Sequence, residues 1–437
     1  MTLTEREAPA AEPHSGPESA PAESGNRARV IQLLVALAVI TAVFVTTGLG
    51  YLLLFIVILI AIVMLHELGH FVTAKWAGMK VTEYFVGFGP RLWSVRRGET
   101  EYGVKAIPAG GYVRIVGFTS SEDVAAEDEP RAYRQQPFYQ RIVVASAGSV
   151  MHFLIAIVLA LILVLGYGTL SNNIAIGSVE TWPGVAKTPA VLAGLKAGDV
   201  IVSIDGKSFA NPNAMSDIVR RSVGKPLILG VERDGRLLHL TATPASGKGV
   251  TVDGQKLQDR GYLGVTIHQA TQSVGGLAAI PAAFSTLWQV TDQEMTGIAQ
   301  TFSPSGLSSV LHQDTSPAAA RKAADNPGSA PRPVSILGIV HLGAQSEQVG
   351  LASVLMLLIA INVVFGILNM LPMIPLDGGH VAIAAYEWVR TKRGQSYYRA
   401  DITKLFPVAA LFIAFLSIFV LSGIFLDITH PLSIPGH

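Results

Sequence analysis

Long apolar runs without charge alternate with polar segments along the chain. No charged residue occurs from Val30 to Leu65. As one α-helix this run would be about 54 Å long, whereas the hydrocarbon core of a bilayer is about 30 Å thick. The turn-forming stretch TTGLG at 46–50 therefore predicts that the run folds into two spans. With three later apolar runs, the pattern predicts transmembrane spans at 30–47, 51–72, 142–166, 351–371 and 405–426.

The polar segments before and after the first pair of spans have different patterns. Residues 1–29 are rich in Pro, Ala, Glu and Ser, which predicts a disordered tail. Residues 73–141 follow the second span, and the region from Glu83 to Phe118 alternates aromatic or β-branched residues with Gly. This alternation predicts β-hairpins with open edges that lie at the membrane.

The longest polar segment separates the third and fourth spans. Residues 175–268 contain short alternating strands, Asp-Gly turns and one short helix, which predicts a compact α+β module. In the following part, 269–350, residues 276–302 predict an amphipathic helix near the membrane surface. Residues 303–333 are rich in Ser, Pro, Ala and Gly and predict a loose loop.

Composition supports a membrane protein and narrows its chemistry. The chain has 437 residues, of which 50% are hydrophobic and only 14% are charged. Its net charge of +1 gives no reason to expect a nucleic-acid partner. The absence of cysteine excludes disulfides, iron–sulfur clusters and thiolate zinc sites. A metal site in this chain would therefore use His, Asp or Glu.

The distribution of Lys and Arg predicts the orientation of the spans. Arg27 and Arg29 precede the first span, which places the N-terminus in the cytoplasm. Segments 73–141 and 387–404 are rich in Lys and Arg, and five spans place both in the cytoplasm as well. The predicted fold is a polytopic α-helical membrane protein with about five spans, cytoplasmic membrane-associated β-hairpins and an extracytoplasmic α+β domain at 175–268. The predicted location is the plasma membrane.

Two histidines and a glutamate end the second span in the sequence LHELGH. His66 and His70 are four residues apart, so on a helix they share one face and can bind one metal ion. Two imidazoles suit Zn²⁺ and leave room for a third protein ligand and a water molecule. Glu67 can accept a proton from that water. The alternative is a pair of intramembrane histidines bonded to neighbouring polar groups. Ionisable residues at this depth favour a functional site.

Asp377 is the best candidate for the third ligand. It lies in NMLPMIPLDGGH, just after the uncharged run 351–371, and the predicted span including this motif covers 351–386. Its predicted position is on the same side of the membrane as His66. The alternative is that Asp377 only caps a helix. His380 is a weaker candidate, as an outer contact of the site or a surface residue.

Four motifs in this order resemble the site-2 protease family of intramembrane zinc metalloproteases, close to bacterial and actinobacterial regulators of sigma-factor pathways. They are HELGH, GVKAIPAGGYVRIVGF, AGLKAGDVIVSIDGK in the module and NMLPMIPLDGGH. The resemblance covers about residues 51–430 and identifies the module as PDZ-like. One departure is AGSVMH at 147–152, where Ser149 and His152 replace the usual Pro and Asn. His152 could make an interhelical hydrogen bond or perturb the rim of the active site, and we favour the structural interhelical hydrogen bond.

The resemblance implies an enzyme that hydrolyses peptide bonds in or near transmembrane segments. It implies Zn²⁺ held by His66, His70 and Asp377, with Glu67 as the general base. It also implies that Asn369 helps to hold the substrate backbone and that a strand near Gly111–Ile115, including Tyr112 and Val113, pairs with the substrate. The expected substrates are single-span membrane proteins such as anti-sigma factors, after a first cut by another protease.

Two other functions compete with proteolysis. A non-catalytic membrane scaffold would be expected to have lost a residue of the site, but Glu67, both histidines and Asp377 are present. A metal or proton transporter would carry polar residues through several spans and repeated halves, and the sequence shows neither.

Overall fold

The computed structural model describes most of the chain after residue 50. The described residues are 31, 35, 38–39, 41–47, 50–118, 122–180, 187–209, 212–249, 251–252, 255–256, 259–325, 331–335, 338–339, 351–391 and 398–432. The predicted tail at 1–29 lies outside them, as does part of the predicted span at 30–47. Within that span, residues 41–46 are helical.

The labelled elements begin with a helix and alternate between helical and β segments. The helices are α1 Gly50–Trp76, α2 Phe138–Tyr167, α3 Pro189–Ala193, α4 Pro212–Arg221, α5 Ala279–Thr301, α6 Pro304–Thr315, α7 Pro317–Asp325, α8 Leu351–Asn369, α9 Asp377–Arg390 and α10 Phe406–Thr429. The strands are β1 Val81–Arg97, β2 Thr100–Ile115, β3 Thr169–Val179, β4 Val200–Ile204, β5 Leu227–Arg233, β6 Arg236–Ala242, β7 Ala245–Ser246, β8 Thr251–Val252, β9 Gln255–Lys256, β10 Gly261–Tyr262 and β11 Val265–Gln272.

Four helices are long and apolar enough to cross a membrane, among the residues that the structure describes. They are Leu52–Trp76, Phe138–Tyr167, Leu351–Asn369 and Phe406–Thr429. They coincide with four of the five predicted spans. The region 351–386 is not one helix, since α8 ends at Asn369 and α9 begins at Asp377. Pro372 and Pro375 lie in this interval, where each would remove a helical backbone hydrogen bond.

The chain divides into two compact units, Met1–Gln140 and Arg141–His437. In the first unit, α1 ends where Gly78 adopts a φ of 76° and the Met79 N–H donates to the carbonyl of Ala74. This left-handed glycine stops the helix and turns the chain into β1. The expected β structure between residues 83 and 118 is therefore present, as the two long strands β1 and β2.

Each of these long strands contributes two segments to one mixed sheet, in which 83–86 run parallel to 101–104 and the other paired segments are antiparallel. Residues 81–88 pair with 111–115 on one side and with 101–104 on the other, while 91–97 pair with 100–105. The resulting order of segments is 111–115, 81–88, 100–105 and 91–97. In the described part of the chain, the segment 111–115 has a ladder partner on one side only. One edge of this sheet is thus open, as the sequence predicts.

The helices of the second unit pack around small residues. Ala156 and Ala160 of α2, Ala283 of α5, and Ile359 and Val363 of α8 belong to one buried cluster. Small side chains allow helix backbones to approach closely, which is the usual way in which membrane helices pack. Helix α5 lies within the predicted amphipathic segment 276–302 and packs through this cluster against α8.

A buried ion pair joins two helices of the same unit. Arg141 Nη1 of α2 lies 2.6 Å from Glu387 Oε2 of α9, and both side chains are about 6% exposed. The other oxygen of Glu387 accepts a hydrogen bond from the Ala400 N–H at 2.8 Å. Glu387 therefore connects α9 both to α2 and to the segment that precedes α10.

The predicted α+β module also belongs to the second unit. Five strands form an antiparallel sheet in the order β11-β3-β4-β5-β6, and α4 and α3 accompany it. The β5–β6 hairpin turns at Asp234 and Gly235, whose φ values of 49° and 71° are those of the predicted Asp-Gly turn. Burial raises the pKa of Asp199, but hydrogen bonds from Arg233 and the Lys196 N–H outweigh it and lower that pKa.

The expectation of a loose loop at 303–333 is wrong for residues 304–325, which form α6 and α7. The Ser303 hydroxyl caps α6 by accepting a hydrogen bond from the Gly306 N–H at 3.0 Å, and Pro304 occupies the first turn. Helix α7 has the sequence PAAARKAAD, in which alanine favours a helix. The segment whose composition predicts a loop therefore contains residues that begin helices, followed by residues that favour them.

Candidate functional site

Helix α1 carries both histidines of the LHELGH motif on one buried face. His66 and His70 are 8% and 5% exposed, so each ring is shielded from solvent. Their Nε2 atoms lie 3.3 Å apart, and the rings meet edge to face with centroids 4.9 Å apart. The i, i+4 spacing predicts that the two rings converge, and in the structure their Nε2 atoms are close enough to bind one ion.

The separation of the two nitrogens fits a metal ion. Two zinc–nitrogen bonds of about 2.0–2.1 Å at a tetrahedral angle place their nitrogens about 3.3 Å apart. His66 and His70 supply two imidazole nitrogens to such a site, and the third donor that the sequence predicts is a carboxylate oxygen of Asp377. This is the type of donor set that binds zinc in hydrolytic sites that lack cysteine.

Glu67 lies one residue from His66 and is half-buried. Its Oε2 accepts a hydrogen bond from the backbone N–H of Val113 at 3.0 Å. Val113 belongs to the open-edge segment 111–115, so the carboxylate that could act as a base contacts the edge of the sheet directly.

The edge contact fixes which backbone groups of the segment face outward. In an antiparallel ladder, alternate residues direct their N–H and C=O groups toward the neighbouring strand and away from it. Because the Val113 N–H reaches Glu67, Val113 and Gly111 are the outward-facing positions, and Tyr112 faces its partner Phe85. Of the three predicted substrate-binding residues here, Gly111 and Val113 thus offer their backbone at the edge.

The side chain of Tyr112 is held within the sheet. Its ring stacks on Phe85 and Phe88, its hydroxyl donates to Glu83, and the ammonium of Lys105 lies 4.8 Å from its centroid. Burial and the bond to Glu83 raise the pKa of this hydroxyl. The Tyr112 side chain therefore supports the edge strand.

Two further contacts hold the sheet against α1. The Tyr84 hydroxyl donates to the carbonyl of Met64 at 2.7 Å, and burial followed by the negative charge of Glu67 raises the Tyr84 pKa to about 12. Gly111 leaves no room for a side chain, because an added Cβ would lie 2.3 Å from Met64 Sδ and 2.9 Å from the Phe85 carbonyl oxygen. The edge strand thus approaches the helix as closely as a glycine allows.

Asp377 is the first residue of α9, in the second unit. The N-cap position belongs to Leu376, so Asp377 does not fill the capping position that the alternative interpretation assigned to it. A Cβ on Gly378 would lie 2.2 Å from the Met370 carbonyl oxygen, and one on Gly379 would lie 2.8 Å from the Ile374 nitrogen. Both glycines are therefore required for the tight packing of α9 on the preceding loop.

The remaining candidate residues also belong to the second unit. Asn369 ends α8 and is half-buried, and His380 is half-buried in the first turn of α9. His152 is 2% exposed, and its Nδ1 lies 3.0 Å from Asn362 Oδ1 of α8. This contact is the interhelical hydrogen bond that the sequence predicts for His152.

Sequence reasoning did not find Tyr84, Met64 or the Glu387 ion pair. Tyr84 lies in an aromatic strand and Met64 in an apolar helix, so neither residue differs in pattern from its neighbours. Arg141 begins an apolar span and Glu387 ends a later helix, which is a weak signal for an intramembrane ion pair.

Comparison with known proteins gives one consistent family. The model described as Peptidase family M50 matches residues 54–414. Zinc metalloprotease Rip1 of Mycolicibacterium smegmatis is 31% identical over 421 residues, which cover 89% of this chain and 99% of the relative. Rip1 of Mycobacterium tuberculosis is 32% identical over 87% of this chain and 97% of the relative. Metalloprotease MmpA of Caulobacter vibrioides is 28% identical over 78% and 88%. With its paired histidines and four apolar helices, the chain belongs to peptidase family M50, the site-2 proteases.

Proposed function

We propose that this protein is a zinc metalloendopeptidase that hydrolyses peptide bonds in or near the transmembrane segments of single-span membrane proteins. The observation that carries the proposal is the pair of Nε2 atoms of His66 and His70, 3.3 Å apart on an apolar helix, with Glu67 between them in sequence. The names of the Rip1 relatives, which describe zinc metalloproteases, support both the metal and the reaction.

His66, His70 and Asp377 would hold the zinc. When bound, zinc would act as a Lewis acid that polarises the scissile carbonyl and lowers the pKa of a water molecule to about 7. The position of Asp377 at the start of α9, fixed by the packing of Gly378 and Gly379, supports its assignment as the third ligand. Asp377 would then supply a charged oxygen beside two neutral imidazoles.

Glu67 is the proposed general base. It would accept a proton from the attacking water and return it to the nitrogen of the leaving amine. Its Oε2 is oriented by the Val113 N–H, which restricts the carboxylate to one position beside the edge strand. Glu67 follows His66 directly on α1, so its carboxylate lies beside the two imidazoles without being needed as a ligand.

The open edge at 111–115 would hold the substrate as an additional strand. A transmembrane substrate is helical, with its backbone groups bonded internally, so it must unwind before it can be cut. Strand addition to the outward backbone of Gly111 and to the outward carbonyl of Val113, whose N–H is bonded to Glu67, would replace those bonds. Asn369, at the end of α8, is proposed to hold the substrate backbone on the strength of the family resemblance.

The proposed orientation follows from the charge distribution. The N-terminus, the β1–β2 sheet and the segment 387–404 would be cytoplasmic, and the module 175–268, PDZ-like by resemblance, would be extracytoplasmic. The active site would then lie toward the cytoplasmic side of the plasma membrane. Anti-sigma factors with one span, first cut by another protease, are the proposed substrates.

Zinc content and cleavage of a single-span test protein, measured together, test this function. Purified wild type and Glu67→Gln are compared in detergent, with His66→Ala as a variant that removes a metal ligand. We expect about one zinc per chain in wild type and Glu67→Gln, cleavage only in wild type, and a loss of zinc in His66→Ala. Unchanged cleavage by Glu67→Gln would exclude Glu67 as the general base. If the purified wild-type protein contained no zinc, the competing functions of a scaffold or a transporter would remain.

A further inference from the structure

A cavity of about 430 Å³ lies beside the loop that leads into α9. Its walls come from three parts of the second unit and are mainly apolar. Met373 and Ile374 line it from the loop, Ile383 from α9, and Val408 and Ala409 from the first turns of α10. A cavity of this size with apolar walls is suited to a hydrocarbon chain.

The mouth of the cavity is aromatic and polar. Tyr386, Tyr398, Asp401 and Lys404 belong to its lining. The two tyrosine rings meet edge to face with centroids 5.9 Å apart, and the guanidinium of Arg390 lies 6.0 Å from one and 5.4 Å from the other. Tyrosine side chains, which have an apolar ring and a polar tip, are typical of the level of the lipid headgroups.

The charge around this mouth is positive. In the segment 387–404, the described basic side chains at this mouth are Lys404, which belongs to the lining, and Arg390, which lies beside both tyrosine rings. The acidic residues of the same segment are Glu387, which is buried against Arg141, and Asp401, which lies 3.6 Å from Lys404. The Lys404 side chain is 82% exposed, so it can contact a charged group outside the protein. The mouth therefore favours an anionic group.

We propose that this cavity binds one anionic phospholipid, with an acyl chain among Ile374, Ile383 and Val408 and the phosphate near Lys404 and Arg390. Basic pockets beside transmembrane helices are a common form of site for anionic headgroups. The cavity is lined by the start of α10, which is one of the described helices that are long and apolar enough to cross a membrane. An apolar segment of a protein would fill the same walls, but it would not need the basic mouth.

The lipid would contact the loop that positions Asp377. Ile374 lines the cavity, and its backbone nitrogen packs against Gly379 where no Cβ can fit. An acyl chain against Ile374 would thus press on a loop that cannot move without displacing the start of α9.

Native mass spectrometry of the purified full-length chain tests the site, with phosphatidylglycerol and phosphatidylcholine of identical acyl chains as probes. Ala409→Trp fills the cavity from α10, and Ala410→Trp, at the exposed neighbouring position, is its matched control. We expect wild type and Ala410→Trp to retain one phosphatidylglycerol and Ala409→Trp to lose it. Retention by Ala409→Trp equal to that of wild type would overturn the proposal.

Lys404→Gln keeps the test valid if Ala409→Trp does not fold. The side chain of Lys404 is exposed, so its replacement leaves the fold intact, and we expect a loss of about fivefold in the preference for phosphatidylglycerol. Equal retention of both lipids by wild type would overturn the proposal. Displacement of the lipid by inorganic phosphate would also overturn it, since that result describes an anion site without a place for the acyl chain.

Discussion

Gly111 is the residue at which one methyl group should disturb the contact between the edge strand and α1. A Cβ there would lie 2.9 Å from the Phe85 carbonyl oxygen, which is backbone and cannot rotate away. We expect Gly111→Ala to lower the free energy of unfolding by about 1–3 kcal/mol, as overpacking usually does. It should also slow cleavage, because the strand that carries Val113 moves away from Glu67. Thermal unfolding and the cleavage rate in detergent measure both effects.

Gly297→Ala is a suitable control for this substitution. Gly297 lies within α5, and nothing lies within 4 Å of a Cβ added there. Alanine favours a helix over glycine by about 1 kcal/mol, so this variant should be as stable as wild type or more so. Removing the second contact with Met64→Ala in the Gly111→Ala background should restore part of the loss. Full activity of Gly111→Ala alone would show that the strand does not need its close approach.

At the scale of residues, the sequence predicts contacts within one helix better than contacts between elements. His66, Glu67 and His70 follow from a spacing of one helical turn, which any α-helix reproduces. The bond from Val113 to Glu67 joins residues 46 positions apart and depends on how a strand packs on α1. The orientation of Asp377 likewise depends on Gly378 and Gly379, whose role becomes visible only when the loop before α9 is folded.

Glu99 connects the C-terminal end of α1 to the segment that contains Arg131, and this connection should depend on pH. Its carboxylate accepts hydrogen bonds from Arg131 at 2.6 and 2.9 Å and from Lys75, the last basic residue of α1, at 2.5 Å. The bond from Arg131 has the largest effect, and with that from Lys75 it outweighs burial and lowers the Glu99 pKa from 4.5 to about 2. The stabilisation is complete above pH 4.5 and is lost as the pH falls toward 2.

Comparing melting temperatures of wild type and Glu99→Gln from neutral to acidic pH tests this dependence. The variant should melt at a lower temperature at pH 7, and the difference should shrink below pH 4.5 and in high salt, because the pair is partly exposed. The exposed Glu127→Gln is the control and should match wild type throughout. A difference that stays constant over the whole range would rule out titration of Glu99 as its cause.

At the scale of elements, a long apolar run without charged residues predicts a helix reliably. A segment rich in Ser, Pro, Ala and Gly predicts a loop less reliably. The runs that became α1, α2, α8 and α10 have no other way to satisfy their backbone in a membrane. The sheet in the first unit was predicted as hairpins, but its order follows from bends within β1 and β2 near Gly89 and Gly110, both with positive φ. The sequence does not predict helices α6 and α7, because Ser and Pro begin helices but are also common in loops. Alanine then continues the helix.

At the scale of the whole molecule, the module 175–268 should control which substrates reach the membrane site. If it excludes substrates by size, replacing residues 169–272, which include the whole of β3 and β11, with a short Gly/Ser linker should permit cleavage of substrates whose ectodomain is intact. Cleavage of intact and previously trimmed forms of one single-span protein, by full-length and shortened enzyme, measures this. Zinc content of the shortened enzyme controls for folding.

A different pattern would indicate that the module binds peptide. In that case the shortened enzyme would lose activity toward the trimmed form, whose new C-terminus is the expected ligand of a PDZ-like groove. Intact substrates left uncut by a shortened enzyme with normal zinc content would contradict exclusion by size.

The ion pair between Arg141 and Glu387 has a consequence for the biogenesis of this protein. The two residues are 246 positions apart, and Ala400 completes the set of bonds to Glu387. While the ribosome is still producing the intervening residues, Arg141 lacks this carboxylate, and a charge without its partner is expensive to bury. We therefore expect the N-terminal end of α2 to stay in contact with water until α9 has been synthesised. A truncated chain would retain this exposed arginine, which is a feature that membrane quality control can detect.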